Sequence, residues 1–295
     1  MTTLQQQLKT WALRLYYRTS SRKAWAAHPR SDDFSISNLL IPTRTGEVTA
    51  RMYHGQADCP IIIYFHGGGW VIGDLNTHDP FCRALSKASG CILLSIGYRL
   101  APEHPFPAAH DDCLDATKWI IDNLNALAPN SGKAVLAGDS AGGNLAACTM
   151  ASLIGEPRIS GTIMIYPVIE HYLAGLRSYT EHAKSGPLTS SIMRWFFDTY
   201  LGAIAAADPK TKTIFVSRRC DYSNFPPSLL VTAERDPLRD DGKRLATVMR
   251  QAGVAITYQH FPNEAHGFAC SQGATAGHQQ FVELATHWLG ELSAH

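Results

Sequence analysis

The chain has 295 residues, of which 45% are hydrophobic and 17% charged, and this composition predicts a soluble globular protein with one large domain, or a domain with an appendage. Its 26 Lys and Arg residues nearly balance its 25 Asp and Glu residues, which excludes the strongly basic field that nucleic acid or an acidic membrane surface would require. We therefore expect neither nucleic acid nor a membrane as a partner.

The seven cysteines are odd in number and scattered, with no CxxC pair, and this pattern predicts neither a disulfide framework nor a zinc site. No apolar run reaches the ~18 residues that a membrane-spanning helix needs. The N-terminus lacks the basic start and apolar core of a signal peptide. We therefore expect a cytoplasmic protein in a reducing compartment.

The first predicted element is an amphipathic helix, whose apolar residues recur at helical spacing: Leu4, Leu8, Trp11 and Leu15. The pattern breaks at the polar stretch "AAHPRSDD". The helix could pack on the body of the protein for stability or cover a site, and the two roles are compatible. We assign residues 1–40 to an N-terminal cap segment.

From about residue 46, short β-branched runs alternate with segments of helical periodicity. The predicted strands are "EVTARMYH", "IIIYF", "CILLSIGY", "KAVLAG", "TIMIYP", "SLLVTAE" and "ITYQHF". The predicted helices are "FCRALSKAS", "DDCLDATKWIIDNL", "GNLAACTMASLI", "GKRLATVMRQAG" and "HQQFVELATHWLGEL". This alternation predicts an α/β fold with a mostly parallel central sheet and helices on both faces, formed by residues 41–167 and 228–295.

The alternation is interrupted once, by residues 168–227. This insert contains "SSIMRWFFDTYLG", which is rich in bulky apolar residues and flanked by turns. We predict a small helical cap over the site. The alternative is an extra packing helix with no part in substrate choice.

A candidate nucleophile lies between a predicted strand and a predicted helix. Gly138, Ser140 and Gly142 form G-x-S-x-G in that context, which is typical of a nucleophile elbow. The glycines would leave room for a tight turn that exposes the serine hydroxyl. Taken alone, the pattern is also compatible with a serine that only caps the helix.

A serine nucleophile needs a base and an acid that orients the base, and in this fold class they follow in the order Ser, Asp or Glu, His. Asp236 follows the strand "SLLVTAE", and His266 follows the strand "ITYQHF". Asp240 and Asp241 are rival acids, but they lie where a helix begins, and carboxylates there commonly oppose the helix dipole. We therefore predict the triad Ser140, Asp236 and His266.

Acyl transfer also needs donors for the negative charge that develops on the substrate oxygen. The stretch "YFHGGGW" follows a strand, and its three glycines allow backbone amides to approach a substrate closely. The amide of Ala141, next after the nucleophile, is a second source of a donor. These residues predict an oxyanion hole.

Five motifs together resemble the bacterial hormone-sensitive-lipase-type esterases (family IV, GDSAG branch): "HGGGW" at 66–70, "YRLAPEHPFPAA" at 98–109, "GDSAGG" at 138–143, "DPLRDDG" at 236–242 and "AHGF" at 265–268. The resemblance covers the body of the chain. It implies an α/β-hydrolase fold, no cofactor or metal, and hydrolysis of short-chain carboxylic esters. It further implies that Gly68, Gly69 and Ala141 supply the oxyanion amides.

The resemblance also implies supporting roles, which fall to His66, Gly67, Glu103 and Asp139. The aromatic residues of the cap, Trp195, Phe196, Phe197 and Tyr200, predict a narrow apolar pocket that favours acetyl to about hexanoyl esters. To this pocket we add Trp70 and Phe268.

Three questions stay open at the level of sequence. A peptidase or lactonase would use the same triad, and no motif excludes one. A ligand receptor on the same scaffold is disfavoured because every triad member is present. The residues do not choose between a monomer and a homodimer.

Overall fold

A computed structural model of the chain describes residues 3–26, 35–56, 58–202, 204, 211, 214–216 and 221–293. Eight strands form one sheet: β1 (Ile36–Thr43), β2 (Gly46–Tyr53), β3 (Ile61–Phe65), β4 (Leu93–Gly97), β5 (Ala134–Asp139), β6 (Ile159–Ile165), β7 (Ser228–Arg235) and β8 (Ile256–Ala265). The described α-helices are α1 (Thr3–Trp25), α2 (Asp79–Ser89), α3 (Ala108–Asp122), α4 (Leu124–Leu127), α5 (Ala141–Ser152), α6 (Arg177–Glu181), α7 (Ser190–Leu201), α8 (Arg239–Gln251) and α9 (Ala276–Ser293).

The strands lie in the order β1-β2-β4-β3-β5-β6-β7-β8. β2 runs antiparallel to both of its neighbours, and β3 to β8 run parallel to one another. The predicted α/β-hydrolase fold is therefore confirmed. Because consecutive parallel strands are joined by helices, their carboxyl ends meet along one edge of the sheet, where ligand sites are usually found.

The core consists of two layers on opposite faces of this sheet. Along β3, the side chains of Ile61, Ile63 and Phe65 join one hydrophobic cluster, while those of Ile62 and Tyr64 join the other. This alternation follows from the two-residue period of a strand. Helices α3, α5 and α8 contribute to the first cluster, and α2 and α9 to the second. All five side chains of β3 are buried, as its unbroken apolar run predicts.

The sheet begins earlier than the sequence pattern predicts. β1 starts at Ile36 and pairs with β2 along its whole length, from Ile36 opposite Tyr53 to Thr43 opposite Gly46. The expected boundary of the N-terminal segment at residue 40 therefore falls inside a strand. Exposed residues and a proline hide this strand in the sequence, because only one side chain in "ISNLLIPT" is fully buried.

The predicted N-terminal helix is present as α1, but the apolar stripe that predicts it does not face the body of the protein. Leu4, Leu8, Trp11 and Leu15 face outward, with exposed fractions between 48% and 65%. The inner face instead carries Leu13 and Tyr17, which are partly buried against the core, and the small polar residues Thr10 and Ser21, which are buried. Each described helix is too short or too polar to traverse a lipid bilayer.

Candidate active site

The turn from β5 into α5 places Ser140 in a strained conformation. Its φ of 54° and ψ of −117° are unfavourable for a residue with a Cβ atom. The flanking backbone is too crowded for larger residues. A Cβ on Gly138 would lie 2.3 Å from the carbonyl oxygen of Gly142, and one on Gly142 would lie 2.0 Å from that of Phe65. Glycine at both positions is what allows this turn to form.

The hydroxyl, the imidazole and the carboxylate that the sequence singles out lie in one hydrogen-bonded row. His266 Nε2 is 3.0 Å from Ser140 Oγ, and His266 Nδ1 is 2.8 Å from Asp236 Oδ2. Asp236 is fully buried, and its other oxygen accepts a hydrogen bond of 2.8 Å from the Leu238 amide. A buried carboxylate that accepts two hydrogen bonds fixes both the tautomer and the direction of the imidazole.

The two rival acids are engaged elsewhere. Asp241 accepts hydrogen bonds from the amides of Ile169 and Glu170 at 2.9 and 2.8 Å. Burial raises the pKa of Asp241 to about 7. Asp240 pairs with Arg239 at 2.9 Å. These carboxylates hold the start of the 168–227 insert and the first turn of α8.

The imidazole of His266 rests on an aromatic ring that the sequence analysis did not single out. The centroid of the Tyr166 ring is 4.7 Å from that of His266. Phe268 packs behind Tyr166, at 5.6 Å, and against Phe261, at 4.6 Å. Phe268 is therefore a core residue under the site, and the expectation that it lines the pocket is wrong.

The loop after β3 presents two of the predicted oxyanion amides beside the nucleophile. Gly68 and Gly69 line the same cavity as Ser140, and Ala141 is the first residue of α5. Gly68 has a φ of 119°, and its carbonyl accepts hydrogen bonds from the amides of Val71 and Ile72 at 3.1 and 2.9 Å. These bonds close the loop into a turn.

Asp139 ties this loop to the nucleophile elbow. Its carboxylate accepts hydrogen bonds from the Gly67 amide at 2.7 Å and the Tyr64 hydroxyl at 2.5 Å, and it lies 3.4 Å from His78 Nε2. Burial raises the pKa of Asp139, but His78 and these hydrogen bonds outweigh burial and lower it below its usual value. The predicted supporting residues Asp139 and Gly67 are thus in direct contact.

His66 lies in the loop after β3 and, unlike His266, makes no hydrogen bond to Ser140. It is buried, its Nδ1 donates to the Gly67 carbonyl at 2.8 Å, and its ring stacks on Tyr98 at 4.3 Å. Burial, reinforced by nearby His78, lowers the pKa of His66 to about 4. The ring is therefore neutral at pH 7 and shapes the loop through its hydrogen bond.

Glu103 lies outside the cavity. Its side chain is 51% exposed, and both of its oxygens accept hydrogen bonds from Arg14 of α1 at 2.9 and 2.8 Å. These hydrogen bonds lower the pKa of Glu103. Glu103 thus contacts the cap and makes no hydrogen bond to the triad.

A largely apolar cavity of about 380 Å³ opens above Ser140 and His266. The cap forms its roof, with Phe196 of α7 and residues of α1. Trp70 lines it from the loop side and stacks on Tyr200 with ring centroids 4.7 Å apart. Trp195 does not line the cavity, contrary to expectation. Neighbouring helical residues point about 100° apart, and the ring of Trp195 lies under Lys9 Nζ instead, 4.6 Å away.

Comparison with known proteins now identifies the family. A family model described as the α/β-hydrolase fold matches residues 62–270. The chain belongs to this family. Within it, the resemblance to the hormone-sensitive-lipase-type carboxylesterases is confirmed by the relatives that follow.

Carboxylesterase NlhH of Mycobacterium tuberculosis is 38% identical over 213 residues, which span 71% of this chain and 66% of NlhH. Ethyl acetate hydrolase of Pseudomonas putida is 34% identical over 79% of this chain and 75% of its own. The solved structure of a hyperthermophilic esterase from Pyrobaculum calidifontis superimposes with a TM-score of 0.88 at 34% identity, covering 97% of this chain and 92% of that one.

Several residues at the mouth of this hydrolase cavity escaped the sequence analysis. They come from α1: Leu13, Tyr16, Tyr17, Ser20 and Ala24. Leu13, Tyr17, Ser20 and Ala24 are separated by the same three- and four-residue steps as the outer stripe, so a second helical stripe was the available signal. The outer stripe is more hydrophobic and therefore dominates the pattern.

One group among the described residues has the spacing of a metal site: Glu181, His182 and Glu234. The guanidinium of Arg239 occupies its centre. It is 2.9 Å from Glu181, 2.8 Å from His182 Nε2 and 2.7 Å from Glu234. The arginine supplies the positive charge that these groups surround, so the cluster is an ion-pair network.

Proposed function

We propose that the chain is a serine carboxylesterase that hydrolyses short-chain acyl esters, from acetyl to about hexanoyl, through an acyl-enzyme intermediate. The observation that carries the proposal is the bridging imidazole of His266, within 3.0 Å of Ser140 and 2.8 Å of Asp236. Geometry of this kind lets one side chain accept a proton from the nucleophile while a buried carboxylate stabilises the resulting charge.

The reaction runs in two halves. His266 Nε2 takes the proton of Ser140 as its oxygen attacks the ester carbonyl, and the same proton then passes to the departing alcohol. Water, deprotonated by His266, attacks the acyl-enzyme and releases the acid and the free serine. In both halves the oxyanion faces the amides of Gly68, Gly69 and Ala141, and one such donor is worth about 2.7–4 kcal/mol of barrier.

The shape of the cavity supports the preference for short acyl chains. The ring of Phe196 packs directly over the oxyanion loop, so closely that a Cβ on Gly69 would lie 2.2 Å from its Cγ. Phe196, Trp70 and Met193 give the cavity an apolar lining that a short acyl group can fill. That a similar protein is named for ethyl acetate supports the same size class.

The first test is removal of the nucleophile. Replacing Ser140 with Ala should leave the circular dichroism spectrum and melting temperature nearly unchanged, and should lower kcat for p-nitrophenyl acetate by roughly six decades. Ser152→Ala, at the far end of α5, is the matched control and should keep the activity of the unmodified enzyme. Retained activity in Ser140→Ala would contradict the assignment.

The second test is a substrate panel on the unmodified enzyme. Rates on p-nitrophenyl esters should fall beyond hexanoyl, and comparable turnover of long-chain and acetyl esters would contradict the size limit. The panel includes a peptide amide and a lactone, because a peptidase or lactonase would use the same triad. If the enzyme turns over the amide or the lactone faster than the esters, that activity replaces the ester assignment. If it turns over none of the substrates, the result indicates a ligand receptor.

We also propose that the enzyme works in the cytoplasm. The six cysteines among the described residues are free thiols, and five of them are buried, which suits a reducing compartment. Immunodetection in fractionated cells tests this, and recovery from an oxidising compartment would contradict it.

A further inference from the structure

Arg14 of α1 reaches across to both loops that border the oxyanion site. Its Nε donates to the Val71 carbonyl at 2.9 Å, and its Nη2 donates to the Ala101 carbonyl at 3.0 Å. Its two terminal nitrogens also bind both oxygens of Glu103. One guanidinium therefore makes four hydrogen bonds, to three residues outside its own helix.

The Val71 carbonyl, which accepts a hydrogen bond from Arg14, belongs to the turn that carries the oxyanion amides. The Val71 and Ile72 amides bond back to the Gly68 carbonyl, so any shift of Val71 is transmitted to Gly68. The preceding carbonyl, that of Trp70, is held from the other side by the Ala101 amide at 2.9 Å. Arg14 and Ala101 thus fix two consecutive carbonyls immediately after Gly69.

We infer that Arg14 is a positioning residue for catalysis: it couples the docking of α1 to the geometry of the Gly68–Ile72 turn. Arg14 does not itself line the cavity, whereas its neighbours Leu13 and Tyr17 do. Substrate enclosure by α1 and placement of the oxyanion donors would therefore depend on the same side chain. This inference rests on the proposed esterase function.

The chemistry of the side chain favours this role over that of a simple tether. A planar guanidinium can bind a carboxylate with two nitrogens and still donate to two carbonyls, whereas a lysine ammonium has no such fork. The Arg14 side chain is only 24% exposed, and its hydrogen bonds to the Val71 and Ala101 carbonyls are partly buried, so solvent screens these two contacts less than those of a surface pair.

Arg18, one turn along α1, provides the matched comparison. It donates to Asp74 at 2.7 Å, and its side chain is 62% exposed. It ties the same helix to the body of the protein but makes no hydrogen bond to the Gly68–Ile72 turn. Loss of Arg18 therefore reports the effect of weakening the attachment of α1 alone.

The experiment compares Arg14→Ala, Arg14→Lys and Arg18→Ala. For each we measure kcat and KM with p-nitrophenyl acetate, and the inhibition constant of a trifluoromethyl ketone, which forms a tetrahedral adduct with the serine and places its oxygen at the oxyanion site. Arg14→Ala should lower kcat about tenfold or more, change KM less than about threefold, and weaken the ketone in proportion to the loss in kcat/KM. Arg14→Lys should recover only a small part of the lost kcat, and the kcat of Arg18→Ala should stay within about twofold of that of the unmodified enzyme.

Two outcomes would overturn the inference: a loss in Arg14→Ala that lies entirely in KM, or equal effects of Arg14→Ala and Arg18→Ala. If Arg14→Ala does not fold, Glu103→Gln takes its place, and it should lower kcat by about three- to tenfold, because one charged partner of Arg14 is lost. Unchanged kcat in Glu103→Gln would then overturn the inference. Failure of the esterase proposal is distinct, because the unmodified enzyme would neither hydrolyse the ester nor bind the ketone.

Discussion

The floor and the roof of the cavity are held in place by different kinds of interaction. The floor consists of the Gly67–Gly69 loop, Ser140, Asp236 and His266. It is fixed by buried hydrogen bonds and by backbone segments that lie too close together to leave room for a side chain. The roof, made of α1 and α7, is attached by ion pairs and aromatic contacts such as Arg14 with Glu103 and Trp70 with Tyr200. The residues proposed to carry out the chemistry thus lie in a rigid part, and those proposed to set the substrate range lie in a part with weaker attachments.

The largest expected effect tests the rigidity of the floor. In Gly142→Ala, the added Cβ would lie 2.0 Å from the Phe65 carbonyl oxygen, a contact that requires the backbone to move. We expect the free energy of unfolding to fall by about 3 kcal/mol, with loss of most activity. Urea titration followed by circular dichroism measures the change.

Gly290→Ala in α9 is the control for this substitution. Apart from the neighbouring backbone of α9 itself, no heavy atom lies within 4 Å of the added Cβ, and alanine is the better helix former, so stability should stay equal or rise by up to about 1 kcal/mol. Equal unfolding midpoints for the two variants would show that the floor is less rigid than described.

An intermediate effect is expected at the roof. Phe196→Ala should enlarge the cavity over the oxyanion loop and raise the octanoyl-to-acetyl ratio of kcat/KM by about tenfold. Trp195→Ala is the matched control, because this neighbouring aromatic residue does not line the cavity. The ratio should change less than about twofold in Trp195→Ala. Similar shifts in both variants would mean that α7 acts on selectivity only through its overall packing.

The last expected effect depends on pH and concerns the contact between α8 and the start of the 168–227 insert. Burial raises the pKa of Asp241 to about 7, from an ordinary value of 3.8. A carboxyl whose pKa is raised in the folded state stabilises the fold fully below pH 3.8 and loses that contribution as the pH rises through about 7. Between pH 5 and 7 the free energy of unfolding of Asp241→Asn should therefore fall less steeply than that of the unmodified enzyme, by about 1.4 kcal/mol per pH unit, which corresponds to one proton.

Melting temperatures across this pH range, measured in one buffer series, test the prediction. Glu156→Gln is a suitable control, because Arg158 lowers the pKa of Glu156 to about 2, and this carboxyl does not titrate in that range. Parallel curves for Asp241→Asn and the unmodified enzyme would show that Asp241 does not control the pH dependence.

The floor could be predicted from the sequence because its geometry restricts the choice of residues. A turn in which Ser140 adopts a positive φ between two crowded backbone segments requires glycine at 138 and 142, and such constraints leave a readable motif. The buried strands were equally clear, since burial on both faces leaves an unbroken apolar run. The order of the acid and the base along the chain is set by the order of the strands.

The roof could not be predicted to the same depth, because many side chains can line an apolar cavity. Which of two adjacent aromatic residues faces inward, Phe196 or Trp195, depends on the rotation of α7, and periodicity does not fix that rotation. The same ambiguity concealed the inner stripe of α1. Arg14 and Glu103 are 89 positions apart in the chain, and no local sequence pattern predicts that they pair.

The central claim is that Ser140 carries the acyl group during turnover, and trapping that intermediate tests it most directly. The enzyme is mixed with p-nitrophenyl acetate, quenched in acid within the first turnovers, digested and analysed by mass spectrometry, with Ser140→Ala treated in parallel. We predict an acetyl group on the peptide that contains Ser140, and its absence in the variant. Acetylation of another residue, or a peptide that stays unmodified while p-nitrophenol is released, would contradict the account.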